Sequence, residues 1–413
     1  MNQTFIRSTL DQSCIHSNSS LPVFPVSKSL LLGAVLFGFA FAFEGNAQQG
    51  TVVGWGDNRI GQVNVPPGLT NVVAISAGEW HSLALKADGT VVAWGADHGV
   101  PSDLTNVVMI AAAGFHNLVM TADGTVRAWG QNDHGQCEVP PDLTNVVALT
   151  GGWTHSLALK SDGTVVGWGR SSEGQTTSPE GLTDVVAIDS GEYHNLALKS
   201  DGTVVAWGWN GVGQTDVPPG LTNVVAIDAS GLHSLALKAD GTVVAWGFNE
   251  VGQIDVPADL SNVVALGGGL EHNLALKSDG TVVGWGSNAA WANDECQFVG
   301  NPDCVREPVG QINIPVGLSN VVAVAAGNFH SLALKTDGTP PPSSVLSKPQ
   351  RVGNTFSCSA HTRSGRAYVL QYSESLVNPN WISLPLVPGT GGERLFIDSN
   401  AGSAERYYRI RRW

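Results

Sequence analysis

Basic residues are scarce in this chain. Its 413 residues include 21 lysines and arginines against 35 aspartates and glutamates, a net charge of −14 with histidine neutral. The deficit sits in residues 48–345, with 10 basic and 29 acidic side chains, whereas residues 346–413 carry 9 and 4. Affinity for nucleic acid is largely neutralisation of phosphates by Lys and Arg, so this acidic body argues against a nucleic-acid partner. Long apolar runs are also missing. The longest, residues 30–43, has 14 residues, short of the roughly 20 needed to cross a bilayer. It follows Lys28 and leads into Gly45-Asn-Ala47, small residues suited to signal peptidase, and so reads as a secretory signal over 1–47 with the mature chain starting near Gln48. A retained anchor is the competing reading. The 29 residues before the run are long for a signal's first region, which leaves the start codon open. The expected location is the cell exterior or envelope, with no membrane span in the mature chain.

Cysteine is sparse, five in all. Cys14 leaves with the signal, Cys137 and Cys358 stand alone, and Cys296 and Cys304 flank a short stretch. In an exported chain that last pair is a disulfide candidate, worth roughly 2–3 kcal/mol of loop constraint. A metal loop using Asp294, Glu295 and Asp303 competes with it. No segment reads convincingly as a helix, so no glycine-rich phosphate loop leads a strand into one; the 50 glycines read as turn glycines.

What the chain has in abundance is self-similarity. A segment of the type T-V-V-A-W-G ends at Trp55, Trp94, Trp129, Trp168, Trp207, Trp246 and Trp285, and one of the type H-S-L-A-L-K begins at His81, His116, His155, His194, His233, His272 and His330. Most steps are 39 residues, a period that marks a propeller or solenoid. Within the unit 222–257, Asn223 to Ile227 reads as a buried strand, His233 to Lys238 alternates, and Thr242 to Trp246 answers it across the Asp240-Gly241 reversal. A fourth short strand is expected through Gly252 to Val256, stopped by Pro257. The last unit lacks its Trp strand and meets Pro340-Pro-Pro, while Thr51 to Gly56 is such a strand without a hairpin partner. Each end supplies what the other lacks, which predicts an all-β, seven-bladed propeller closed by its chain ends, with the indoles between blades.

The motifs V-V-A-W-G, G-Q-x-x-V-P, A-G-x-x-H-S-L-A-L-K and D-G-T-V resemble the repeats of the regulator of chromosome condensation (RCC1-type) superfamily over residues 50–339. The short unit is closest to a bacterial secreted branch that includes the propeller-type beta-lactamase inhibitory protein. The resemblance implies a seven-bladed propeller over 48–339. Beyond a Pro/Ser linker at 340–347, residues 348–413 read as a small β-sandwich-like module from alternation in Ala367 to Tyr372, Arg394 to Ile397 and Arg406 to Ile410. It is similar to accessory β modules of exported repeat proteins.

Function is expected where the repeats differ. Counting strand direction puts the turn before each His and the loop after each Trp-Gly on one face, here called the top, and the Asp-Gly and Pro-x-x-Leu-Thr-Asn turns on the other. From Trp to the repeat Pro the spacing is 11 residues in five units, 7 from Trp94 to Pro101 and 30 from Trp285 to Pro315, while that Pro to the next His is always 15. Length changes confined to one face mark a binding face. That rim carries Trp80, Phe115, Trp153, Tyr193 and Phe329 before the histidines, Trp209 and Phe248 after Trp-Gly, and Trp291 in the long insertion, with Glu79, Glu192, Glu250 and Glu271 beside them. Aromatic anchors near carboxylates suit a protein interface, with capping of the blade tops as the alternative. The seven repeat histidines read as structural groups bonding within each blade. Asp97, His98, Asp133 and His134 are weak candidates for a Zn or Mn site. No catalytic residue and no cofactor is implied. The expectation is a secreted, monomeric, non-enzymatic propeller that binds an extracellular or envelope protein. Glycan or cell-wall binding, or inhibition of a beta-lactamase or penicillin-binding enzyme, are the alternatives.

Overall fold

The computed structural model describes residues 50–96, 99–291 and 305–336, together with the backbone of Ile6–Arg7 and of six strands between 347 and 412. Seven three-stranded antiparallel sheets make up the repeat body. Blade 1 is Val72–Ala77, His81–Lys86 and Val91–Gly95; blade 2 is Val107–Ala112, His116–Thr121 and Val126–Gly130; blade 3 is Val146–Gly151, His155–Lys160 and Val165–Gly169. Blade 4 is Val185–Ser190, His194–Lys199 and Val204–Gly208; blade 5 is Val224–Ala229, His233–Lys238 and Val243–Gly247; blade 6 is Val263–Gly268, His272–Lys277 and Val282–Gly286. Blade 7 joins Val321–Ala326 and His330–Lys335 to Thr51–Gly56, with Thr51 opposite Lys335 and Gly56 opposite His330. The closure predicted from the incomplete end units is therefore present as backbone pairing.

Each junction between blades holds its own apolar cluster. Trp94 of blade 1 lies with Val52, Leu332 and Leu334 of blade 7, and Trp55 of blade 7 with Leu274 and Leu276 of blade 6. The indoles thus pack between blades, as the repeat pattern predicts. A fourth strand does not form. In Gly252 to Val256 the backbone donors turn inward: Ile254 N–H goes to Asn249 Oδ1, Asp255 N–H to the Gly252 carbonyl and Val256 N–H to the Ile254 carbonyl. The segment crosses to the next blade instead, where the Gln253 carbonyl accepts from Trp285 Nε1 (3.2 Å) and Asn273 Nδ2 (2.8 Å).

The bottom turns follow one plan. Lys86 C=O accepts from Gly89 N–H, Asp88 Oδ1 accepts from Thr90 N–H and Oγ1–H, and Gly89 sits at φ 79°, where a side chain is strained. The residue before each inner strand is also left-handed, at φ 54° to 60°. It is Asn in six blades and Asp184 in blade 4, residues that tolerate this region.

Beyond the propeller, Ser347–Val352, Thr355–His361 and Glu393–Asp398 form one antiparallel sheet, and Tyr407–Arg412, Ala367–Ser373 and Ile382–Pro388 form a second. Ile6–Arg7 pairs onto Tyr407 and Tyr408 at the edge of that second sheet. Apart from Ile6–Arg7, the 1–47 leader lies outside the described residues, as does the 340–347 linker up to Ser347, where a strand begins. Among the described residues no helix is long and apolar enough to cross a membrane.

Candidate interaction site

Two rings of hydrogen bonds organise the top face. Each repeat histidine points its Nε2 at the Ser or Asn that follows the histidine of the next blade: His81 to Asn117 (2.7 Å), His155 to Asn195 (2.8 Å), His233 to Asn273 (2.7 Å), and so on to His330 and Ser82 (3.1 Å). Those Ser hydroxyls spend their one proton on the crossing Gln carbonyl, as Ser82 does to Gln62 and Ser331 to Gln311. Their oxygen can then only accept, which places the histidine proton on Nε2. Burial pushes the imidazoles far down, His116, His194, His272 and His330 to about 3 and His155 and His233 to about 4. The histidines are structural, as expected, but they bond across the junctions rather than within each blade.

A second ring runs through the backbone just above. Glu79 N–H donates to Gly114 C=O, Gly114 to Gly152, Trp153 to Glu192, Glu192 to Gly231, Gly231 to Gly269, Leu270 to Asn328, and Asn328 back to Glu79. Glycine is required beneath it, because a Cβ on Gly152 would collide with the Gly191 carbonyl and the His155 ring. The residue after each Trp-Gly ties into the same tier: Trp209 N–H donates to Tyr193 C=O and Phe248 N–H to Leu232 C=O, both near 3 Å. The two variable loop sets therefore share one face.

The eight aromatic candidates divide on that face. Trp80, 8% exposed, and Phe329, 1% exposed, are packed together with ring centroids 6.1 Å apart, covered by Ala290, Trp291 and Val309 of the long insertion. Both belong to the core and present no surface for a partner, which corrects their place among the anchors. Phe115 packs against the same cluster. The other five, Trp153, Tyr193, Trp209, Phe248 and Trp291, line a single cavity of about 350 Å³ over blades 3 to 6. Trp153 meets Tyr193 edge-on at 5.3 Å, and Tyr193 meets Trp209 at 6.4 Å.

Charge in the cavity is unevenly matched. Glu173, Glu192, Glu250 and Glu271 face Arg170 and Arg306. Arg306 is committed, bidentate to Glu271 at 2.7 Å on both oxygens and stacked on Trp291 at 4.1 Å. Arg170 lies over the Tyr193 ring at 5.6 Å with its Nε on Ser172. Burial, then the Glu79 and Glu271 charges, raise the Glu192 carboxyl to about 8, and burial raises the Tyr193 phenol. Arg170, Arg306 and Glu173 were not among the residues expected here. Arg170 occupies the slot after Trp-Gly that holds Trp209 and Phe248 in the next blades, so the slot itself was the available signal.

Of the metal candidates, Asp133 accepts from Gln131 Nε2 (2.6 Å), and the His134 backbone N–H donates to Gln136 Oε1. Asp97, His98, Cys296 and Cys304 lie outside the described residues. Cys137 is a free thiol, half-buried and raised to about 11 by that burial.

The RCC1 repeat model, "Regulator of chromosome condensation (RCC1) repeat", matches residues 72–98, 107–136, 146–175, 185–214, 224–253 and 263–290. The chain is built of RCC1 repeats. Six matches rather than seven follow from the closure, since the seventh RCC1 unit is split between the two ends of the chain. Among solved structures, Prp20p from Saccharomyces cerevisiae aligns at 20% identity and TM-score 0.56, over 73% of this chain and 94% of that one. Human WBSCR16 aligns at 19% and 0.51, over 71% and 100%. The Physcomitrella patens receptor kinase CR4 ectodomain aligns at 19% and 0.51, over 68% and 79%. No curated protein matches the sequence.

Proposed function

We propose that this RCC1-repeat chain is an exported, non-enzymatic interaction protein that seats a protein partner on the top of blades 3 to 6. One observation carries the reading: five aromatics from four blades, all in the variable loops of one face, line one cavity. A few large aromatics in a desolvated pocket supply most of the energy of a protein interface, whose standard patch is about 800 Å² per partner. The seven histidines are consumed by the closed ring, which favours a platform over a catalyst. The yeast neighbours were solved for Prp20p with its binding to Gsp1p and histones, and for Prp20 bound to Kap60. From them we carry over only the use of the propeller as a binding platform. A beta-lactamase or penicillin-binding enzyme is the narrower partner class, suggested by the resemblance to the bacterial inhibitory branch. Indole faces beside Glu192 and Glu250 also suit sugars, and glycan binding is the second reading.

The test is retention of envelope and secreted material on the immobilised chain beside the triple variant Trp153→Ala, Tyr193→Ala, Trp209→Ala. The expected result is a retained protein that the variant loses while its far-UV circular dichroism is unchanged. Retained polysaccharide lost with the variant supports the glycan reading. Equal retention by both forms contradicts the site.

A further inference from the structure

We propose that the cavity over blades 3 to 6 is built for an alkylammonium cation, carried by a lysine side chain of a partner or by a free quaternary amine. This rests on the reading of that cavity as the binding surface and names the group that enters it. Its volume, about 350 Å³, is at the small end of the roughly 300–1,000 Å³ range of ligand pockets. It suits one inserted group rather than a flat contact.

The chemistry of the walls selects the charge. Two aromatic faces already hold cations from the chain itself, Arg306 over Trp291 and Arg170 over Tyr193. The attraction is that of a ring's negative face for a positive group. Trp153, Trp209 and Phe248 line the same space, and among the described residues no cation lies on them. Carboxylates outnumber guanidiniums, four to two, and one guanidinium is neutralised by Glu271. Glu192 has no hydrogen-bond or ion-pair partner for its side chain among the described residues, and Glu250 is exposed at the rim. An ammonium between Trp209 and Glu192 would supply the missing countercharge, and its methyl or methylene groups would cover indole surface. A carboxylate ligand would meet an unpaired glutamate in the same space. Because burial raises Glu192 to about 8, an entering cation displaces a proton from it near neutrality, and cation binding tightens as pH rises through that value.

The experiment is a tryptophan-fluorescence titration of the full chain at constant ionic strength. The probes are choline chloride, its neutral isostere 3,3-dimethylbutan-1-ol, N-acetyl-lysinamide and sodium N-acetylglutamate. Saturable binding of a cation at least about tenfold tighter than the neutral isostere supports the proposal. Tighter binding of N-acetyl-lysinamide than of choline assigns the cation to a partner's side chain, and the reverse order assigns it to a free amine. Glu192→Gln should weaken cation binding about tenfold, and Glu250→Gln, at an exposed position, less than that. Equal binding of the neutral isostere, preference for N-acetylglutamate, or no saturable binding overturns it. If the cations fail while the triple alanine variant still loses its partner, only the cationic anchor is wrong. If both fail, the reading of the cavity falls with it.

Discussion

Acid should unfold this propeller from a stability maximum close to neutrality, with the loss setting in below pH 6.5 and steepening below about 4.5. Six imbedded imidazoles set the direction. In the fold they titrate at about 3 or 4, held down by burial first and by neighbouring imidazole charge in most. In the unfolded chain they titrate near 6.5, so below that pH the unfolded state binds more protons and the fold loses stability until the folded values are reached. Each such group costs about 1.4 kcal/mol per pH unit. Four carboxyls work the other way. Glu192, raised to about 8, Asp228, to about 6, and Asp189 and Glu271, also raised, hold protons in the fold that the unfolded chain binds only near pH 4. Between 6.5 and 4.5 they offset part of the histidine effect. Below that the unfolded carboxylates protonate as well, the offset fades, and the loss steepens until the imidazoles protonate in the fold at about 4 and 3. Urea midpoints measured from pH 8 to 4 by circular dichroism check this. A flat profile from 7 to 4.5 would mean that the rings are open to solvent.

Deleting Thr51–Gly56 should open the ring and abolish the folded propeller. The loss has three parts. The six residues pair with His330–Lys335 along their whole length, so removal leaves a bare edge at the last blade. Val52 and Trp55 leave the clusters that join blade 7 to blades 1 and 6. Truncation of a buried Trp alone costs roughly 3–5 kcal/mol. The Trp55 Nε1 bond to the Gln311 carbonyl (2.9 Å) and the Asp57 N–H bond to the Phe329 carbonyl (2.8 Å) go with it. Size-exclusion chromatography and thermal melts are expected to show aggregation or no cooperative transition. A circular permutant that joins residue 336 to residue 50, with new ends at the bottom turn near Gly220, should melt like the parent. A deletion variant that keeps its melting temperature within a few degrees would mean that the pairing is dispensable.

The repeat made the architecture legible. Blade number, hairpins, closure and the position of the indoles all follow from strands that occur seven times with the same alternation. The segment after Trp-Gly misled because Ile254 and Val256 alternate as a strand would. Asn249 and Gly252 capture its backbone donors locally, and Gln253 ties it to the neighbouring blade. The site was half legible. Aromatics in the variable loops pointed to Trp153, Tyr193, Trp209, Phe248 and Trp291, but could not show that Trp80 and Phe329 lie under the strand pair Ala289–Trp291 and Arg306–Pro308. Burial there is decided by an insertion from another blade, a contact with no local signature. The cationic counterparts were missed for a related reason: Arg170 and Arg306 acquire meaning only when the loops of blades 3 and 6 converge on one cavity.

The central claim is that the top of blades 3 to 6 meets the partner, and site-directed photo-crosslinking tests it most directly. A photoreactive phenylalanine analogue at Phe248, on the cavity wall, is compared with one at Asp240, in the bottom turn of the same blade. The account predicts adducts with envelope or secreted protein from position 248 and none from 240. Adducts from 240 alone would place the partner on the opposite face and contradict it.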